Sequence, residues 1–301
     1  MENTLFKKTL IPVFIIAATA VTSTFSALAK TIRLTPDNVD AVVAAMTPED
    51  KANLIVGMAR DMSDELRADV GYTYHIVPGV AGTTCPITYM GVTPLVLADG
   101  PAGIRMDSRR KGDSKDYFCT RVPMGTLLSS TWNDSIVAAF GSIIGEECRD
   151  YGIDILLGPG MNIMRNPLCG RNFEYYSEDP LLSGKMAAAF TNGVQSHGVG
   201  VSLKPFAANN QEINRLANDS RVSQRALREL YLRNFEIAIR ESEPWSVMSA
   251  YNYVNGEYAS QSKTLLTDIL RREWGFEGVV MSDWGAGISA VDMVKAGNDM
   301  I

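Results

Sequence analysis

The segment Gly278-Val279-Val280-Met281-Ser282-Asp283-Trp284 passes from an apolar run into a carboxylate and then an indole. A strand end of this kind can hold a carboxylate rigidly as a nucleophile, with an aromatic plate beside it for the apolar face of a sugar ring. Asp99, Arg105, Arg165, Arg171, Glu174, Lys204 and Tyr251 fall at or just after other short apolar runs. Converging Asp, Lys and Arg groups can make charge-assisted hydrogen bonds to vicinal hydroxyls. Cations beside Asp283 are expected to hold its carboxyl below the ordinary range, keeping it ionised. The chain has two histidines, His75 and His197, and no His/Glu pair at metal-ligand spacing. Neither a metal site, nor a His-based triad, nor any cofactor is therefore expected.

Taken singly, each residue has a plainer reading. An Asp after a strand is more often a helix N-cap than a nucleophile. Asp99-Gly100-Pro101 reads as a turn. Arg171 with Glu174 reads equally well as a structural ion pair. Trp284 and Met248 could be packing residues, and His197 reads as structural. The case rests on the whole set lying at the ends of different strands.

The elements that must position them follow a rhythm. Short continuous apolar runs occur at residues 94–98, 153–157, 200–203, 246–250 and 279–282. Runs of this kind suit parallel strands buried on both faces. Between them, residues 133–151, 223–242 and 262–274 carry apolar side chains at helical spacing, with Ser262 placed as a cap and glycines at 152 and 275 as stops. Residues 35–59 read as two short helices, the second starting at Thr47-Pro48-Glu49-Asp50, and residues 79–91 read as loop. Alternating strands and helices predict a parallel α/β sheet, either open and doubly wound or closed as a (β/α)8 TIM-like barrel. No Gly-x-Gly-x-x-Gly follows a strand and no P-loop is present. Polar groups instead crown many strand ends, as in barrel enzymes, and the barrel is the expected fold.

The 301 residues are 46% hydrophobic and 21% charged, with a net charge of −6. These values suit a globular domain with a sizeable core and disfavour nucleic acid as a partner. Residues 1–29 have the form of a signal peptide: Lys7-Lys8, an apolar stretch containing Pro12, and Ala27-Leu28-Ala29 as cleavage site. An exported chain, periplasmic or extracellular and free of the membrane after cleavage, is expected, with residues 30–301 as its barrel domain; an uncleaved anchor is the other reading. Cys85, Cys119, Cys148 and Cys169 lack C-x-x-C spacing and are expected to be free thiols or one incidental disulfide.

Taken together, the motifs resemble the N-terminal domain of glycoside hydrolase family 3. They are Leu97-Ala98-Asp99-Gly100-Pro101-Ala102-Gly103-Ile104-Arg105, Gly158-Pro159-Gly160-Met161-Asn162-Ile163-Met164-Arg165, Gly170-Arg171-Asn172-Phe173-Glu174-Tyr175, Phe206-Ala207-Ala208-Asn209-Asn210-Gln211-Glu212, Met248-Ser249-Ala250-Tyr251-Asn252 and Met281-Ser282-Asp283-Trp284. The resemblance implies a retaining hydrolase of terminal β-glucosides or related small oligosaccharides. Asp283 would be the nucleophile. Asp99, Arg105, Arg165, Lys204 and Tyr251 would bind the non-reducing-end sugar, with Trp284 as a wall and Met248 beside them. Such a mechanism uses two carboxyls about 5–5.5 Å apart.

Two departures qualify that expectation. Family members usually read Lys-His-Phe where this chain reads Lys204-Pro205-Phe206. Proline cannot supply the histidine's donor, and a weaker hold on the sugar, on the order of 1–3 kcal/mol, is expected. The general acid/base, supplied in two-domain relatives by the domain after the barrel, has no good candidate in the chain. Single-domain relatives carry a His-bearing loop where this chain has Ala207-Ala208-Asn209-Asn210. Residues 296–301 read as an eighth strand cut before its helix, so the expected barrel is incomplete at its C-terminus. The other reading is a truncated or degenerate sugar-binding protein without turnover.

Overall fold

A computed structural model describes residues 32–59, 76–110 and 112–301. The expected signal peptide, and His75, lie outside the described residues. The described residues form two compact units, residues 32–54 with 85–94, and residues 55–59 and 76–84 with the described residues from 95 to 301.

In the first unit, helix α1 (Val39–Ala45) and most of α2 (Pro48–Ile55) accompany a small apolar cluster of Val42, Met46, Ile87 and Met90. The start of α2 is a reciprocal cap. Asp50 N donates to Thr47 Oγ1 at 3.1 Å, and Thr47 N donates to Asp50 Oδ2 at 3.0 Å. Two orphan donors of the first turn are satisfied this way, as the Thr-Pro-Glu-Asp sequence predicts.

The second unit is built on a curled, seven-stranded sheet. Its members in spatial order are β1 (Met58–Ala59), β2 (Gly82–Thr83), β3 (Val96–Asp99), β4 (Ile155–Leu157), β5 (Gly200–Phe206), β7 (Ser246–Ser249) and β10 (Val279–Ser282). A separate small sheet holds β6 (Asp219–Ser220), β8 (Tyr253–Val254) and β9 (Glu257–Tyr258). From β3 to β10 every pairing in the large sheet is parallel. The apolar runs are buried on both sides because successive residues face opposite ways. Ala98, Leu156, Val201, Leu203, Val247 and Val280 belong to the larger core shared with the helices, whereas Leu97, Ile155, Leu157, Met248 and Met281 form a second cluster.

Two sequence expectations fail at the start of the sheet. Residues 58–59 are strand rather than helix, and β2 lies in the segment read as loop. β2 pairs antiparallel with both β1 and β3, so the sheet departs from a regular all-parallel (β/α)8 order. Strands of two residues carry no periodic signal; hydrogen bonding to neighbours defines them. At the far edge, Asp299 N donates to Val280 O at 2.7 Å and Ser282 N to Met300 O at 2.9 Å. Ile301 N then donates to Ile55 O at 2.9 Å, and Gly57 N to Ile301 O at 3.2 Å.

The helices between strands are α3 (Gly125–Ser129), α4 (Asp134–Tyr151), α5 (Pro180–Gln195), α6 (Arg233–Ser242) and α7 (Ala290–Ala296). Asn133 caps α4, accepting from Ile136 N at 3.1 Å, and Gly152 closes it at φ 78°. α4 and α5 meet backbone to backbone: a Cβ on Gly141 would lie 2.4 Å from Phe190 O, and one on Gly193 2.2 Å from Ala138 O. His197 is structural, its Nε2 lying 2.7 Å from Ser142 Oγ of α4. Residues 223–242 are helical as expected but include a π-helical turn at Leu227–Tyr231, and Thr264–Glu273 is π-helical throughout. All four cysteines are free; burial pushes the Cys148 thiol up to about 12. Among the described residues no helix is long and apolar enough to cross a membrane, and no cluster has the makings of a metal site.

Candidate active site

The ends of the parallel strands bring most of the expected residues to one cleft. Asp99 closes β3, and the turn after it returns Arg105, whose backbone N–H donates to Asp99 O at 2.8 Å. Lys204 sits near the end of β5, Met248 within β7, Tyr251 just beyond β7, and Asp283 and Trp284 just beyond β10. Asp99, Arg105, Met248, Tyr251, Asp283 and Trp284 line a cleft of about 260 Å³ together with Leu157 and the segment Gly79-Val80-Ala81. That last segment was missed from sequence because a short loop of small residues has no chemical signature.

Lys204 is nearly buried, and its Nζ donates to Asp99 Oδ1 at 2.9 Å. Arg105 stands 4.0 Å from the other Asp99 oxygen and is largely exposed. The Lys204 charge also acts on Asp283, so one ammonium serves two carboxylates. Tyr251 donates its hydroxyl to Asp283, and Trp284 N donates to Asp283 Oδ1 at 2.9 Å. Arg171 adds a further positive field. It is paired with Glu174, both side chains nearly buried, and its guanidinium lies 5.6 Å from the Tyr175 ring centroid.

The expectation that cations depress the Asp283 carboxyl is corrected here. Burial pushes it above its ordinary value, and the opposing pulls of Lys204, the Tyr251 hydroxyl, Arg171 and the Trp284 N–H do not outweigh that. Desolvation penalises the charged form, and β10 delivers Asp283 into a site walled by Trp284, Met248 and Leu157. Tyr251 is likewise pushed up, first by burial and then by the Asp283 charge.

Trp284 is 36% exposed and forms one wall. Gly82 of β2 gives it room: a Cβ there would come within 3.1 Å of the indole. Arg165 is not among the cleft-lining residues; its Nε donates to Tyr231 Oη at 2.9 Å. Pro205 is buried in β5 and its carbonyl accepts from Asn162 Nδ2 at 2.9 Å; it too is absent from the cleft lining. Among the described residues, Asp99 and Asp283 are the two carboxylates of the cleft, and Asp99 is committed to Lys204. The arrangement offers a carboxylate fixed just beyond a strand end, a charged pair able to bind hydroxyls and an aromatic wall.

Comparison with known proteins agrees with this chemistry. The thermostable beta-glucosidase B of Acetivibrio thermocellus is 41% identical over 266 residues, covering 87% of this chain and 32% of that protein. An exo-alpha-(1->6)-L-arabinopyranosidase of Bifidobacterium breve is 48% identical over 200 residues, covering 65% of this chain and 26% of that protein. The structure of beta-glucosidase 3B from Thermotoga neapolitana in complex with alpha-D-glucose superposes with a TM-score of 0.83 at 53% identity, covering 87% of this chain and 36% of that one. The chain thus spans about a third of the length of these relatives. The profile described as the glycosyl hydrolase family 3 N-terminal domain matches residues 104–299. With that match covering more than half of its length, the chain belongs to glycosyl hydrolase family 3.

Proposed function

We propose that this chain is the nucleophile-bearing, sugar-binding domain of a retaining β-glucosidase. The observation that carries the reading is Asp283, held by Tyr251 and the Trp284 N–H at the mouth of the sheet, facing the Lys204–Asp99 pair. In this reading an Asp283 oxygen attacks the anomeric carbon, the C1–O bond breaks, and its electron pair leaves with the aglycone oxygen. Asp99, Arg105 and Lys204 hold the sugar hydroxyls, and Trp284 and Met248 pack on its apolar faces. Residues 299–301 act as the eighth stave between β10 and β1, closing the sheet into a barrel; their hydrogen bonds to β10 and to Ile55 and Gly57 just before β1 support this. Protonation of the leaving oxygen falls to a group outside this domain, since Asp99 is paired and Asp283 is the nucleophile.

A glucoside with an activated leaving group tests the reading, because departure of a weak base needs little acid assistance. Incubation with 2,4-dinitrophenyl 2-deoxy-2-fluoro-β-D-glucoside is expected to add one fluoroglucosyl mass to the peptide carrying Asp283. The Asp283→Asn variant is expected to stay unlabelled. Wild-type protein that binds glucose but gains no mass would instead establish a sugar-binding protein without turnover.

A further inference from the structure

The loop after β5 carries a charge arrangement that the sugar-binding reading leaves unused. Asn209 Nδ2 donates to Glu212 Oε1 at 3.0 Å, and Arg215 Nη1 donates to Glu212 Oε2 at 2.8 Å. Asn209 is itself fixed, fully buried, with its carbonyl accepting from Tyr175 Oη at 3.1 Å. Glu212 is therefore anchored from one side by the core and grips Arg215 from the other. The Arg215 guanidinium lies 4.4 Å above the Tyr251 ring centroid, and the Tyr251 hydroxyl donates to Asp283. The chain of contacts runs unbroken from a buried amide to the nucleophile.

We propose that Arg215 is a positioning residue for the Asp283 nucleophile: anchored by Glu212, its guanidinium covers the face of Tyr251 and fixes the phenol hydroxyl on the Asp283 carboxylate. The inference rests on Asp283 being the nucleophile. A cation over an aromatic face draws on the ring's negative quadrupole, which immobilises the ring and makes its O–H a better donor. Tyr251 is only 8% exposed, and Arg215 is the group that covers it from the β5 loop. The Arg215 charge opposes the upward push that burial and Asp283 exert on Tyr251. The other charged groups facing Asp283 are Lys204 from β5 and Arg171 from the loop after β4, and neither contacts the Tyr251 ring face. Removing Arg215 leaves both in place, so its effect is separable from theirs.

Carboxyl titration of the full chain by carbon-13 NMR tests this without sugar, with the Asp283 signal assigned by its loss in Asp283→Asn. Arg215→Met is expected to raise the Asp283 midpoint by roughly one pH unit, and Arg215→Lys by less. The acid limb of labelling by the activated fluoroglucoside should move up by the same amount, with KM for labelling little changed. An Asp283 midpoint in Arg215→Met equal to wild type would overturn the proposal. Loss of labelling in proportion to loss of folded protein, with the midpoint unmoved, would also overturn it. Absence of labelling in the wild-type chain would count against the activity reading alone, because the titration still decides the role of Arg215.

Discussion

At Asp283 two opposing effects meet, and their balance sets its protonation and its contribution to stability. Burial raises the carboxyl while Lys204, Tyr251, Arg171 and the Trp284 N–H lower it, and burial prevails. The folded state therefore binds this proton more tightly than the unfolded chain, whose carboxyl keeps an ordinary value near 3.8. Between those two values the folded state holds more protons, so stability falls as pH rises through the window. Above the folded value the full penalty of a buried charge remains. Asp283→Asn is thus expected to raise the unfolding temperature at neutral pH, with the gain shrinking as pH falls toward 3.8. Calorimetry at pH 8 and at pH 3.8 checks it; an equal or larger gain at the lower pH would contradict the argument. That Asp99, Lys204, Tyr251 and Asp283 share a site was legible because each ends an apolar run. The direction of the Asp283 shift was not, since it depends on how much water its neighbours exclude.

Among the elements, α4 was readable because its signals are local: apolar side chains at helical spacing run to Gly152, which takes the left-handed turn at its end, whereas the cap by the Asn133 side chain emerged from the structure. The π-helical geometry of Thr264–Glu273 was not readable, since the same apolar spacing serves either kind of helix. Nor was the reason for the glycines in α4 and α5. Gly141 and Gly193 let the two backbones approach so closely that no side chain fits between them. Gly193→Ala should gain about 1 kcal/mol of helix propensity and lose about 1–3 kcal/mol to overpacking. The net expectation is a lower denaturant midpoint, since Ala138 O is backbone and cannot move aside. A midpoint at or above wild type would show that the helices can separate without cost.

For the second unit as a whole, the far edge of the sheet carries a seam where residues 299 and 300 bond to β10. Asn298 is buried beside that seam. Its Nδ2 donates to Ser260 O at 2.7 Å and Met293 O at 2.8 Å, and its Oδ1 accepts from Ser249 Oγ at 2.8 Å. It thereby ties the end of β7, the turn after β9 and α7 to the segment that runs along β10. Asn298→Ala would leave Ser260 O and Ser249 Oγ without these partners, while Met293 O keeps the backbone N–H groups of Gly297 and Asn298, and should destabilise the chain by roughly 2–3 kcal/mol. Urea unfolding measures this; a change below about 0.5 kcal/mol would mean that the seam is not under load.

The sequence alone determined much of the strand–helix rhythm, the stops at Gly152 and Gly275, and the residues standing at strand ends, because each depends on spacing within one segment; α5 (Pro180–Gln195) was not among the helices read from it. It also determined the family, since the motifs arrive in order along nearly all of the expected barrel domain. Only the tertiary structure decided that β2 runs against its neighbours, that Arg165 turns to Tyr231, that Arg215 covers Tyr251, and that burial outweighs the cations at Asp283. Each of these follows from contacts between segments far apart in the chain. Pairing partners, stacking and desolvation exist only once those segments have been brought together.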